Sequence, residues 1–401
     1  MVSSAFGRTD GPPIPLVIDD ALPRSAGESP LVSIVMPCLN EEATVGICVT
    51  KARRWLDAAG VSGEVIVVDN GSTDASVPIA VGAGARVVRE EERGYGSAYR
   101  RGFAEARGEY IVMGDSDDTY DFSDLSRLLE PLEQGYDIVV ANRFRGGLEP
   151  EAMPWTHRYL GTPVINFLIR LFSGVRIGDS QSGLRAFRRT ASATMRLRSA
   201  GMELASEMLV RAARSGMRIT EVPTRYYARQ APSKLNTVRD GWRHLRFLLL
   251  AAPDFLFVLP GLAMTLLGTL ITILGFTAAS GMTVGSVTWQ PVFAGSILLA
   301  IGVNSTLLGV IAKIHACARG LLPEDGWVRV YRRYFRLETV LLLAAILVTT
   351  GLLVDGGLFV IWATGGEVAH GLQLAALAQS LLIVGAELGM SAFLVVAIDQ
   401  P

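Results

Sequence analysis

The chain has 401 residues, is 50% hydrophobic and 19% charged, and carries a formal net charge of -1, a size that fits one large or two ordinary domains. From Phe255 onward Lys and Arg almost vanish outside one short block, which excludes a uniform soluble protein. Near-neutral charge without a Lys/Arg-rich arm argues against nucleic acid as a partner, and Cys38, Cys48 and Cys317 show neither a disulfide framework nor metal-type pairing.

Residues 1–30, rich in Pro, Gly, Ser and Asp, lack apolar periodicity and a signal-peptide core, and are expected to be a disordered leader. From Leu31, apolar runs alternate with helical stretches: LVSIVMP and Ala43 to Ala59, EVIVVD and Thr73 to Ala80, ARVVRE and Ser97 to Arg107, then EYIVMGD. This predicts an α/β domain over 31–232 built on a parallel sheet. Such sheets bind ligands at the carboxyl ends of their strands. Those ends carry Asn40, Glu41 and Glu42, then Asp69, then Asp115, Asp117 and Asp118.

Residues 233–250 alternate Lys234, Arg239, Arg243 and Arg246 with Leu235, Val238, Trp242, Leu245 and Leu249 at helical spacing, the pattern of an amphipathic helix lying in a membrane interface. A solvated linker helix is the alternative. Beyond it, 251–401 holds four apolar segments, roughly 255 to 279, 291 to 312, 338 to 363 and 371 to 398, each near the ~20 residues that span a bilayer. The connection from Lys313 to Arg336 is basic, whereas 280 to 290 and 364 to 370 contain no Lys or Arg. That asymmetry predicts an inner or plasma membrane protein with its basic connection, its N-terminal α/β domain and both termini cytoplasmic. Asp355, expected at a loop edge, and Glu387, without a named partner, interrupt the last two segments.

Asp115-Ser-Asp117 directly follows a strand, so two carboxylates emerge together. Carboxylates that close repel unless a hard cation, Mg²⁺ or Mn²⁺ with a diphosphate, neutralises them; turn and capping roles are the alternative. Asp69 is placed to accept hydrogen bonds from a ribose or base, while Ser72, Thr73 or Asp74 can cap the next helix. Gly94-Tyr-Gly96 either lets amides approach a phosphate or makes a turn.

Taken in order, MPCLNEE, VIVVDNGSTD, GYGSAYRRGF, the strand with Asp115-Ser-Asp117, ANRFRGG, DSQSGLRAFRR and PSKLNTVRDGW resemble the family 2 glycosyltransferases of the dolichyl-phosphate mannose synthase and polyprenyl-phosphate glycosyltransferase type. The resemblance covers about 31 to 245. It implies a GT-A nucleotide-diphosphate-sugar fold, a divalent metal, a polyprenyl-phosphate acceptor and inversion at the anomeric carbon; the all-α membrane domain of about four helices, read from the apolar segments, departs from the best-known dolichyl-phosphate mannose synthases, which have at most two spans. It places Pro37, Asn40 and Glu41 against the nucleotide, Asp69 against base or ribose, and Asp115 and Asp117 at the metal and diphosphate. Arg143, Arg158 and Thr162 match positions that grip the acceptor phosphate, Asp179, Gln181 and Ser182 the segment that closes over the sugar, and Arg229 and Lys234 the basic pair of the loop over the diphosphate. For the arginines, surface salt-bridging is the alternative; Glu207 is either part of the site or an ordinary helix residue.

A phosphate monoester is largely a dianion at pH 7, so the implied reaction asks little of a general base and much of positioning and charge management. UDP-glucose is the first expected donor and GDP-mannose the second, serving a cell-envelope glycan. A processive polysaccharide synthase is disfavoured because no Gln-x-x-Arg-Trp segment occurs. A silent scaffold or lipid-binding protein is disfavoured by the full carboxylate set. The membrane helices can anchor, form a homo-oligomer contact, or present a long lipid.

Overall fold

The computed structural model describes residues 30–230, 237–277, 281–284, 287–318, 322, 324, 326–334 and 336–399; the predicted leader, but for residue 30, and Lys234 lie outside them. The chain divides into two compact units, Met1–Leu245 and Arg246–Pro401.

In the first unit the alternation of apolar runs and helical stretches becomes β1 (Val32–Cys38), α1 (Val45–Ala58), β2 (Gly63–Asp69), α2 (Ser76–Gly82), β3 (Arg86–Arg89), α3 (Tyr95–Glu105) and β4 (Tyr110–Met113). There follow α4 (Ser126–Glu133), β5 (Ile138–Asn142), α5 (Arg143–Gly146), a π turn (His157–Gly161), α6 (Thr162–Ser173), β6 (Arg185–Arg188), α7 (Arg189–Met195), α8 (Leu204–Arg214) and β7 (Ile219–Pro223). The strands form one sheet in the order β3-β2-β1-β4-β6-β5-β7. Val32, Ile34, Val35 and Met36 of β1 are fully buried, as expected for a central strand covered on both faces.

The sheet is mixed rather than purely parallel, because β6 runs against both β4 and β5. The chain leaving β5 is still at the same edge at Asp179, whose Oδ2 accepts the Arg143 backbone N–H at 3.0 Å. It therefore re-enters the sheet in the opposite direction, a return that needs no crossover.

Helix α9 (Thr237–Leu250) covers most of the predicted amphipathic segment, and its Trp242 is exposed. In the second unit, a π turn (Asp254–Val258) leads into α10 (Leu259–Thr277), a ribbon of β8 (Met282–Val284) and β9 (Val287–Trp289), α11 (Pro291–Ala318), α12 (Gly326–Tyr334), α13 (Leu337–Ala363) and α14 (Gly371–Asp399). Four stretches, Asp254–Thr277, Pro291–Ala318, Leu337–Ala363 and Gly371–Ile398, are long and apolar enough to cross a membrane.

Helices α10 and α11 meet along glycines spaced by seven: Gly261, Gly268 and Gly275 on one, Gly295, Gly302 and Gly309 on the other. A Cβ on Gly268 would lie 2.4 Å from Leu299 N and 2.7 Å from Gly295 O; one on Gly302 would lie 2.4 Å from Thr265 N. Small residues let the backbones close in where lipid supplies no hydrophobic force. The interleaved Thr265, Thr272 and Thr306 hydroxyls return to carbonyls of their own helices.

Three sequence expectations change here. Asp355 lies inside α13, not at a loop edge. Lys313, counted with the basic connection, is buried within α11, paired with Asp254 and 4.4 Å above the Trp327 ring. Glu387 acquires a partner, its Oε1 accepting from Asn304 Nδ2 at 3.1 Å.

Candidate active site

The loops after β1 and β2 are stitched into one floor. Asn40, held at φ 53°, accepts the Thr73 N–H at 2.7 Å, while Ser72 Oγ and Ser76 Oγ accept the N–H groups of Asn40 and Glu41 at 3.0 and 2.7 Å. Asp74 lies one residue before the N-cap of α2, Ala75, and closes the turn there: its Oδ1 accepts from Ser76 N and Oγ at 3.0 and 2.6 Å. The β4 loop joins this floor through Ser116 Oγ, which donates to Pro37 O at 2.6 Å.

Asp69 is buried at the end of β2. Its Oδ1 accepts the Ser72 N–H at 2.8 Å, but Oδ2 is enclosed with no hydrogen-bond partner among the described residues and only a long ion pair to Arg89 Nε at 3.7 Å. A buried acceptor left unpaired costs about 1–3 kcal/mol, a cost that an N–H or O–H of a ligand would relieve.

Asp115 is held still. Tyr95 and Tyr99, one helical turn apart on α3, both donate to its Oδ1, at 2.9 and 3.2 Å. Burial first, and then the Asp115 charge, raise both phenols well above their ordinary pKa, so they stay protonated donors. Burial, followed by the charge of Asp117, pushes Asp115 itself up to about 6, the repulsion that a divalent cation between the two carboxylates would relieve. Asp117 Oδ1 is fixed by Thr119 Oγ1 at 2.6 Å, and its Oδ2 lies 3.5 Å from Arg229 Nε. Arg229 Nη2 bridges on to Glu41 Oε1 at 2.6 Å. Asp115 and Asp117 offer hard carboxylate oxygens of the kind Mg²⁺ or Mn²⁺ takes, but no group of three His, Cys, Asp or Glu placed to hold a metal ion occurs among the described residues. A cation would complete its shell with diphosphate and water oxygens.

Two expected roles meet in one ion pair. Arg143 is buried and gives Nε and Nη2 to Asp179 at 2.7 and 2.8 Å, leaving Nη1 outside the fork. Asp179 and Ser182 are fully buried, and of the residues expected over the sugar only Gln181 keeps partial exposure. Arg158 is exposed on the π turn and stacks on the Tyr159 ring at 5.2 Å, while Thr162 is buried at the start of α6. No side-chain hydrogen bond or ion pair among the described residues joins these two to the carboxylate group. A cavity of about 390 Å³ lies beside the site, between Lys51, Asp118, Asp121, Glu149 and Tyr227; it includes neither Asp115 nor Asp117.

Gly94-Tyr-Gly96 takes the turn reading. The Gly96 and Ser97 N–H groups are given to Ala200 O at 2.8 and 3.2 Å, and a Cβ on Gly94 would lie 2.1 Å from that oxygen. The glycines admit a protein loop, not a phosphate. Glu207 anchors that loop, accepting from Arg198 N, Ser199 N and Arg211 Nε.

Several contributors escape sequence reasoning. Tyr95 and Tyr99 lie within a quoted motif, but nothing local says that they face Asp115. Arg185 is fully buried and gives its guanidinium to the carbonyls of Ser180, Ser182 and Ala205 at 2.7, 3.0 and 2.8 Å, so it shapes the turn that carries Gln181. Trp155, Tyr159, Leu160, Val164, Phe167 and Leu171 form an exposed apolar stripe along the π turn and α6. That stripe had a signal: helical spacing in a stretch, 152–178, with three Arg and no Asp or Glu.

Residues 33–195 match Glycosyl transferase family 2, and residues 310–399 match the Glycosyltransferase family 2 C-terminal transmembrane region. The low-salt glycan biosynthesis hexosyltransferase Agl6 of Haloferax volcanii is 33% identical over 377 residues, 93% of this chain and 90% of that protein. The dolichyl-phosphate hexose transferase of the same organism is 32% identical over 210 residues, 52% of this chain and 89% of that one. Among solved structures, glucosyl-3-phosphoglycerate synthase from Mycobacterium tuberculosis in complex with phosphoglyceric acid gives a TM-score of 0.46 at 25% identity, covering 55% of this chain and 79% of that chain. The expected GT-A α/β domain followed by about four apolar helices holds. With matches running through both regions, the chain belongs to glycosyltransferase family 2 as an integral membrane member bearing that family's C-terminal transmembrane region.

Proposed function

We propose that this glycosyltransferase transfers a hexose, with inversion, from a nucleotide-diphosphate sugar to a polyprenyl phosphate at the cytoplasmic membrane face, with Mg²⁺ or Mn²⁺. The observation that carries the reading is the meeting of Asp69, Asp115, Asp117 and Arg229 at one sheet edge, in a chain that continues into four membrane-length helices. The relatives named as a hexosyltransferase and a dolichyl-phosphate hexose transferase support the sugar and acceptor classes.

In this reading Pro37, Asn40, Glu41 and Asp69 bind the nucleoside, with Asp69 Oδ2 accepting from base or ribose. Asp115 and Asp117 hold the divalent ion, which when bound neutralises the diphosphate and stabilises its departure. Arg229 moves from Glu41 and Asp117 onto the diphosphate, the group to which the family resemblance also assigns Lys234. Asp179, Gln181 and Ser182 shape the sugar subsite. Arg158, Thr162 and the Nη1 of Arg143 receive the acceptor phosphate, which attacks the anomeric carbon as a dianion while the nucleoside diphosphate leaves. The apolar stripe of α6, with Arg158, Arg170 and Arg176 exposed along the same stretch, suits a unit resting on anionic headgroups. The absence of Lys and Arg from 280 to 290 and 364 to 370 supports the cytoplasmic placement.

The test is to incubate the purified protein with polyprenyl phosphate and a panel of labelled nucleotide sugars, UDP-glucose and GDP-mannose first, and then extract the lipid. Metal-dependent label in a polyprenyl-monophosphate sugar is expected. Label in a water-soluble product or a polymer instead would overturn the acceptor assignment.

A further inference from the structure

Gln181 keeps exposed surface, yet its carboxamide is not free to turn. Nε2 lies 3.1 Å from Ser180 Oγ and 3.2 Å from Ser206 Oγ, which uses both of its N–H groups. Ser206 is fully buried on α8, and its Oγ is 2.9 Å from Nδ1 of His244 on α9. His244 is buried too; burial first, then the Arg185 guanidinium, push its pKa down to about 4. At neutral pH the ring is therefore uncharged and one nitrogen accepts. In the tautomer protonated at Nε2, the Ser206 hydroxyl accepts from the amide and donates to Nδ1, a one-way chain: Gln181 N–H to Ser206 O–H to His244 Nδ1. Among the described residues no hydrogen bond reaches the other end, Gln181 Oε1, an acceptor.

We propose that Ser206 and His244 are positioning residues that lock the Gln181 carboxamide so that Oε1 accepts a hydrogen bond from a hydroxyl of the donor hexose. The inference rests on the nucleotide-sugar reading above. Arg185 already clamps the backbone on both sides of Gln181 through the Ser180 and Ser182 carbonyls, so side-chain rotation is the freedom that remains, and the Ser206–His244 pair removes it. A fixed acceptor rewards hydroxyls in one place and discriminates among hexoses, because a misaligned hydroxyl leaves a desolvated oxygen unpaired. The contact is with the sugar and not the nucleotide, which separates this role from simple support of the fold.

The test measures binding of UDP-glucose, GDP-mannose, UDP and GDP, each with Mg²⁺, to the full-length protein in lipid nanodiscs. His244→Leu and Ser206→Ala should each weaken the preferred nucleotide sugar about fivefold, the loss of roughly one neutral hydrogen bond, and change its bare nucleotide less than twofold. The double variant should be no worse than either single one, since both cut the same chain. His244→Asn, whose Oδ1 can stand in for Nδ1, should restore sugar binding. Parallel loss of sugar and nucleotide, additive effects, or His244→Asn no better than His244→Leu would overturn the positioning role. If the wild type binds none of the nucleotide sugars, the donor reading falls and this inference with it; if it binds them and the variants bind equally well, the inference alone falls.

Discussion

Gly183→Ala separates the position of the Asp115 carboxylate from the stability of the fold. A Cβ at this position would lie 2.4 Å from Asp115 Oδ2 and 3.1 Å from its Cγ. Ordinary C···O contact begins near ~3.3 Å, so the carboxylate must retreat by about 1 Å. The obstructing atom ends a side chain, which makes the shift tolerable for the fold, at about 1–3 kcal/mol. It is intolerable for geometry, because Tyr95 and Tyr99 grip Oδ1 at 2.9 and 3.2 Å and a displacement of this size costs about 100-fold in rate. The assay pairs initial rates of labelled-hexose transfer with thermal melting. Gly102→Ala is the contrast: its Cβ would meet Val35 Cγ1 at 2.3 Å in the sheet core, so it should lower folded yield rather than activity per folded molecule. A Gly183→Ala enzyme within threefold of wild type per folded molecule would refute the view that a fixed Asp115 carries the chemistry.

Asp179→Asn should destabilise the first unit by about 3–5 kcal/mol, because it strands the buried Arg143 guanidinium; a melting shift worth under about 1 kcal/mol would contradict this. His244 has its folded pKa depressed from 6.5 to about 4, so its contribution is complete above pH 6.5 and is lost as pH falls toward 4. The full effect is roughly 3 kcal/mol, and denaturant titrations should show a flatter acid limb in His244→Asn; identical limbs would count against a buried neutral ring. Cysteine placed at Gly366 should react with an impermeant maleimide from outside intact cells and cysteine at Gly326 should not, in a background without the three native cysteines; the reverse pattern would invert the proposed topology.

The strands β1 to β4 and the carboxylates at their ends were legible because a buried strand writes itself as a local apolar run ending in a polar residue. The antiparallel β6 was not, since its direction follows from where the chain stands at Asp179 rather than from the RAFR segment. The tyrosine bonds to Asp115 and the Gln181–Ser206–His244 chain join residues 16 to 38 positions apart, beyond the reach of periodicity. Asp355 misled for another reason: Asp-Gly-Gly reads as a turn in water, but in a bilayer an opened helix leaves its carbonyls and amides unpaired, and α13 runs straight through. The α6 stripe is present in the spacing of its aromatic and branched residues, but helical spacing alone does not tell an exposed apolar face from a buried one.

The seven-residue glycine spacing of the α10–α11 hairpin creates an ambiguity that the hairpin has to resolve elsewhere. In the observed alignment Gly261 faces Gly302 and Gly268 faces Gly295. Sliding one helix by seven residues, about 10 Å, would set Gly261 opposite Gly309, Gly268 opposite Gly302 and Gly275 opposite Gly295. The displaced alignment thus offers three glycine encounters where the observed one has two, so close packing cannot by itself choose between them. What distinguishes the two is the far end: only the observed alignment lets Lys313 reach Asp254 and lets Ser305 Oγ donate to the Phe257 carbonyl at 3.0 Å. The lysine and aspartate act as a locating pin for a sliding joint, and an apolar replacement of Lys313 would leave the hairpin packed but free to settle one notch away.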